Sequence, residues 1–139
     1  MVYAYLQLGR DRDARLLIEE MNTISGYNAD RNTGPFALAA GPARYAVERG
    51  DWAQAAQLEV RPATFAYVAA IGHFARAIGA ARSGSPDVAK VDVAMLTELR
   101  AKLREAKDDY WSQQVDIQAQ IASSWAQFAE HRYVMRSKP

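Results

Sequence analysis

Three glycines in this chain each stand five residues before an alanine: Gly9 and Ala14, Gly50 and Ala55, Gly84 and Ala89. An apolar helical pattern leads into each glycine, and another leaves it. Glycine supplies the left-handed backbone that ends one helix. A small residue about one and a half turns later lets a second helix return close against the first. Three such hairpins in one chain predict a stacked array of antiparallel helix pairs, an architecture commonly used to bind other proteins.

The rest of the chain divides into helical stretches around those turns. Tyr3 to Leu8 reads as the end of a helix, and Gly9-Arg10-Asp11 turns the chain. A second helix over 12–23 carries Ala14, Leu17, Ile18 and Met21 on one face. The polar stretch over 22–34 is expected to be a loop. Pro35 opens a helix that runs to Gly50, with a kink or break near Gly41-Pro42. Asp51 caps a short helix over 52–58. A long helix starts at Pro62 and ends at Ser83, where Gly84-Ser85-Pro86 turns the chain and Ser85 caps the helix over 87–106. Asp108 or Asp109 caps the last helix, over 110–131, and the basic tail from Arg132 is expected to fray. No segment shows sustained strand alternation. The fold class is all-α, with about seven helices.

Composition excludes several roles. The chain has 17 basic and 16 acidic residues among 139, for a net charge of +1. A dedicated nucleic-acid or membrane-surface binder would carry a larger basic excess. Cysteine is absent, so disulfides and thiolate chemistry are ruled out, which fits a reducing compartment. No apolar run is long enough to span a bilayer, and Met1 to Tyr5 lacks the basic head of a signal peptide. The expected location is cytoplasmic by default.

The turns and their flanks resemble the tetratricopeptide repeat, a helix pair of about 34 residues. Tyr5, Gly9, Ala14, Ile18 and Met21 match the first unit. Ala46, Gly50, Trp52 and Ala55 match the second, where Gly50-Asp51-Trp52 resembles the family's Gly-Asp-Tyr turn. Ala80, Gly84, Ala89, Val93 and Leu96 match the third, and a fourth begins at Tyr110. The family's Trp-x-x-Leu-Gly start is missing, and Arg76-Ala77 stands where the third unit should carry Leu-Gly. The resemblance implies a right-handed α-solenoid with units over 1–26, 35–60, 62–106 and 109–139. Both ends look cut, so the chain is read as a piece of a longer array whose uncapped ends drive self-association.

Other motifs carry little chemistry. His73 and His131 lack a second ligand one turn away. Glu19-Glu20 and Asp108-Asp109 are adjacent pairs, which point apart on a helix. Asp11 and Asp13 suit a first helical turn. Ser123-Ser124 and Ser83-Gly84-Ser85 have neither a strand-to-helix elbow nor a base, and Gly79 and Gly84 follow no strand. No catalytic, cofactor or metal site is expected. The basic clusters Arg10, Arg12, Arg15 and Arg100, Lys102, Arg104, Lys107 are interleaved with acids at ion-pair spacing. The segment Tyr5 to Arg10, with Glu19-Glu20-Met21, also resembles a pentatricopeptide repeat, which implies RNA binding as an alternative. A structural segment of a larger multidomain protein is a further one.

The function expected is therefore that of an adaptor or scaffold that binds a protein or peptide, without nucleic acid or membrane. In tetratricopeptide arrays the first helix of each pair lines the groove. Counting back from the turns puts Arg44, Val47, Ile71, Phe74, Ile78 and Arg82 there. Phe74 and Ile78 would be the apolar anchor, and Arg44, Arg76 and Arg82 would orient the partner. Ala69, Ala70, Ala77 and Ala80 form the opposite, close-packing side, and Trp125 and Phe128 are expected in the core.

Overall fold

The computed structural model describes residues 1–28, 30 and 33–137. The described residues form seven helices: α1 (Val2–Gln7), α2 (Asp11–Thr23), α3 (Thr33–Glu48), α4 (Trp52–Ala56), α5 (Ala66–Arg82), α6 (Pro86–Glu105) and α7 (Asp109–Ser137). The fold is all-α, with no strand among the described residues.

One turn design recurs at four junctions. After α1, the Gly9 N–H donates to the Leu6 carbonyl (3.1 Å) and the Arg10 N–H to the Tyr5 carbonyl (2.8 Å). The same pair of bonds follows α3 around Gly50, α5 around Gly84 and α6 around Lys107. This is the Schellman arrangement, in which one left-handed residue satisfies two orphan carbonyls. Gly9, Gly50 and Gly84 have φ of 67°, 65° and 85°. Lys107 adopts φ 57° with a full side chain, which costs about 1–2 kcal/mol. Ala14, Ala55 and Ala89 are each fully buried. The Gly-to-Ala spacing thus brings paired helices close at three of the four turns.

Each helix packs on its chain neighbours. The odd-numbered helices also pack on one another, α1 on α3, α3 on α5 and α5 on α7. Cross-helix pairs show that the odd helices run in one direction. The Gln7 amide reaches Glu48 at the ends of α1 and α3. Phe36, at the start of α3, and Tyr67, at the start of α5, both meet Trp111, at the start of α7. The even helices run back and do not touch one another.

The largest core lies among α5, α6 and α7. Leu96, Leu99, Leu103 and Val115 close on Tyr67, Val68, Ala70 and Ala77. An all-alanine cluster, Ala80, Ala81, Ala89, Ala126 and Ala129, holds the other end of these helices together. Val2, Ala14, Ile18 and Tyr45 form a smaller core under α1 to α3.

Several boundaries differ from expectation. Helix α3 runs uninterrupted through Pro42, because tertiary packing outweighs the one backbone bond that proline forfeits. Helix α5 begins at Ala66 rather than Pro62, and α4 stops at Ala56 rather than Leu58. Arg61, in the extended segment between them, donates to the Met21 and Ile24 carbonyls at the end of α2. That anchoring ties the segment to the end of α2. Ser85 makes no side-chain cap bond, whereas Asp51 and Asp108 each accept a backbone N–H at 3.1 Å. Helix α7 continues to Ser137, so the expected frayed tail is helical over 132–137. The loop expected over 22–34 starts at Ile24, and Ala29, Arg31 and Asn32 within it lie outside the described residues, as do Lys138 and Pro139. Among the described residues no helix is long and apolar enough to cross a membrane.

Candidate functional site

Two turns and one long helix converge at the C-terminal end of α5. The Gly50 turn and its Asp51 cap set Trp52 at the start of α4. Arg82 ends α5, where a cation complements the partial negative charge of the helix terminus. The Gly84 turn fixes Ser83 beside it. Helix α7 outruns α5 and carries Trp125, Phe128, Arg132 and Arg136 at helical spacing along one side. Together these residues line a cleft of about 560 Å³.

Cations and rings alternate through the cleft. The Arg82 guanidinium lies 4.4 Å from the Trp52 ring and 4.4 Å from the Trp125 ring. Trp125 meets Phe128 edge to face at 5.8 Å, and Arg132 sits 5.9 Å over Phe128. Such contacts contribute about 0.5–2 kcal/mol each and fix a long side chain that would otherwise wander. Among the described residues, Arg82, Arg132 and Arg136 have no carboxylate within 4.0 Å. The nearby Glu130 is engaged by Lys90 at 2.7 Å. The two indoles flank the Arg82 guanidinium, and among the described residues its N–H donors have no hydrogen-bond partner.

A shallow apolar depression adjoins the cleft. It is formed by Gln120, Ile121, Ser124, Trp125 and Phe128, so Trp125 and Phe128 wall both. Phe128 was expected in the core but is 53% exposed. The physical reason is that alanines, not the aromatics, face α5 and α6: Ala119, Ala122, Ala126 and Ala129 are the buried residues of α7 at this end. Trp125 is half-buried against the alanine cluster. Tyr110, Ile117, Ile121 and Met135 share the exposure of Phe128 along the outer side of α7.

The other sequence candidates are dispersed. Of the six groove residues only Arg82 lines this cleft. Arg44 is exposed and stacks on Tyr3 at 5.6 Å. Val47 and Ile71 are half-buried. Phe74 packs on the main core, and Ile78 is 6% exposed, which leaves it little surface to offer a partner. Arg76, expected to orient a ligand, instead binds Asp92.

Asp92 is the one fully buried carboxylate among the described residues, at 1% exposure. Its Oδ1 lies 2.7 Å from His73 Nδ1 and 3.2 Å from Arg76 Nη2, and its Oδ2 accepts from Arg76 Nε at 3.2 Å. Both oxygens are thus satisfied, as burial of a charge requires. The cluster ties α5 to α6. Further out, Arg100 pairs with Asp116 between α6 and α7, and that hydrogen bond holds the Asp116 carboxyl below its ordinary range. The bond from Lys90 to Glu130 raises the Lys90 ammonium above its own. Among the described residues no group of three or more histidine, aspartate and glutamate side chains is placed to hold a metal ion.

The sequence pattern does not mark Trp52, Arg132 and Arg136 as site residues, and it places Trp125 in the core. The signal was present: an aromatic, an aromatic, an arginine and an arginine at 125, 128, 132 and 136 fall on one helical face. It was hidden by ending the helix at His131. Compared with protein-family models, curated proteins and solved structures, the chain matches none.

Proposed function

We propose that this chain is a protein-binding module built as a tetratricopeptide-like solenoid, an adaptor or scaffold without a catalytic step. The observation that carries this reading is the packing order. Parallel odd-numbered helices lie side by side, and each even-numbered helix touches only its chain neighbours. That is the contact pattern of a helix-pair array, in which each unit leans on the next and a continuous face is left for a partner. The repeated Schellman turn supports the same reading, because it gives successive pairs one hairpin geometry. The His73–Asp92–Arg76 cluster supports it too: its bonds close on one another and are spent on holding two helices.

Capture from the source lysate on the immobilised chain tests the proposal. The expected result is a discrete protein that the free chain competes off and that survives ribonuclease treatment. Capture no greater than on blocked beads contradicts it, and capture lost to ribonuclease favours the RNA-binding reading instead.

A further inference from the structure

We infer that the cleft between α4, α5 and α7 binds an acidic segment of a partner protein, one with carboxylates beside an aliphatic or aromatic side chain. The inference rests on the protein-binding reading above and adds the place and the chemistry.

Charge comes first. Several basic side chains here are neutralised locally: Arg10 by Asp13, Arg49 by Asp11, Lys90 by Glu130, Arg100 by Asp116 and Lys102 by Glu98. Arg82, Arg132 and Arg136 converge on one cleft with no such partner among the described residues. A chain of net charge +1 thereby concentrates a local excess of three positive charges at one place. Guanidinium groups bind carboxylates with paired, charge-assisted hydrogen bonds.

Pre-organisation comes second. The two indoles hold Arg82, and Phe128 supports Arg132. Little side-chain entropy then remains to be lost on binding. The cleft volume, about 560 Å³, suits a few side chains rather than a folded surface.

The apolar depression decides the class of ligand. It shares Trp125 and Phe128 with the cleft, so a ligand filling both must be anionic at one point and apolar at the next. A peptide meets that demand residue by residue. A phosphodiester chain is anionic at every step and needs an extended basic track, whereas the apolar depression beside these three arginines is walled by Ile121, Trp125 and Phe128.

Fluorescence anisotropy tests the inference. The probe is a fluorescein-labelled peptide, Glu-Asp-Leu-Glu-Phe-Asp-Glu-Leu, titrated with the chain at about 50 mM salt. Its controls are the same peptide with lysine at every acidic position, and labelled oligouridine of equal length. The expected result is saturable binding of the acidic peptide alone. The Arg132→Glu, Arg136→Glu double variant should weaken it at least about tenfold, and Phe128→Ala should weaken it to a smaller degree. All these side chains are exposed, so the far-ultraviolet circular dichroism should not change. Absence of saturation, equal affinity for the charge-reversed chain, or tighter binding of oligouridine overturns the inference. If lysate capture persists and ignores charge reversal, the cleft assignment falls while the protein-binding reading stands. If nothing is captured, the reading itself falls.

Discussion

The two ends of the molecule are built from the same hairpin but differ in what the hairpin encloses. Around α1 and α2 the turn closes over a core of Val2, Ala14, Ile18 and the α3 residue Tyr45, and the polar ties toward α3 are exposed, Arg49 with Asp11 and Gln7 with Glu48. Around α5, α6 and α7 the same turn closes over ten buried residues in one cluster and five in another. A buried carboxylate there bridges two helices. Helix α1 is only six residues long, about 9 Å, whereas α5, α6 and α7 run over 17, 20 and 29 residues. Turn geometry therefore repeats along the chain while stability does not. It accumulates where three long helices share one core.

The largest test of that contrast is Asp92→Ala. It strips both His73 and Arg76 of their acceptor and should destabilise the chain by about 3 kcal/mol or more in urea unfolding. Asp11→Ala, which breaks the exposed pair at the other end, should cost no more than about 1 kcal/mol. Equal effects would dissolve the distinction. Glycine substitution comes next. A Cβ at Gly79 would lie 2.7 Å from Ala55 Cβ and overlap the Ala56 backbone. Neither neighbour can swing away, so Gly79→Ala should cost about 1–3 kcal/mol. At Gly41 the obstacle is the far end of Met21, with Cε at 2.5 Å. That flexible side chain yields, and Gly41→Ala should change stability by less than about 1 kcal/mol.

Smaller effects sharpen the picture at the α6–α7 junction. Lys107→Gly relieves left-handed strain worth about 1–2 kcal/mol and gives back about 0.5–1 kcal/mol in unfolded-state entropy. A net gain of roughly 0.5–1 kcal/mol is expected by thermal unfolding. The pH dependence of stability is weaker still and also belongs to α6 and α7. The Asp116 carboxyl is depressed below its ordinary 3.8 by the Arg100 hydrogen bond. Its contribution is present above that value and is lost as pH falls below it. The Lys90 ammonium is raised above 10.5 by its bond to Glu130. Its contribution is present below 10.5 and is lost as pH rises through the folded value. The Asp116→Asn and Lys90→Met variants should flatten the acid and alkaline limbs respectively.

The all-α class, the three glycine turns and the buried alanines were legible because each rests on local chemistry. A left-handed glycine needs no tertiary context, and an alanine at closest approach has few alternatives. The fourth turn was not legible as such, because Lys107 has no intrinsic preference for φ 57°. Packing of α6 on α7 imposes it. Pro62 and Pro42 misled for the converse reason: proline permits a helix start and opposes a helix interior, but contacts from Arg61 and from the α2 side chains override both tendencies. The cleft was the least visible feature. Trp52, Arg82 and Trp125 are far apart in sequence, and their meeting depends on how α4 and α7 lie against the end of α5.

The most direct test is a heteronuclear NMR titration of the isotope-labelled chain with the acidic peptide. The expected result is saturable shifts at the Trp52 and Trp125 indole N–H groups and at backbone amides over 82–84 and 128–136, with Ile71 and Phe74 unmoved. Shifts centred on Ile71 and Phe74, or scattered without saturation, would contradict the proposal that this cleft binds an acidic segment.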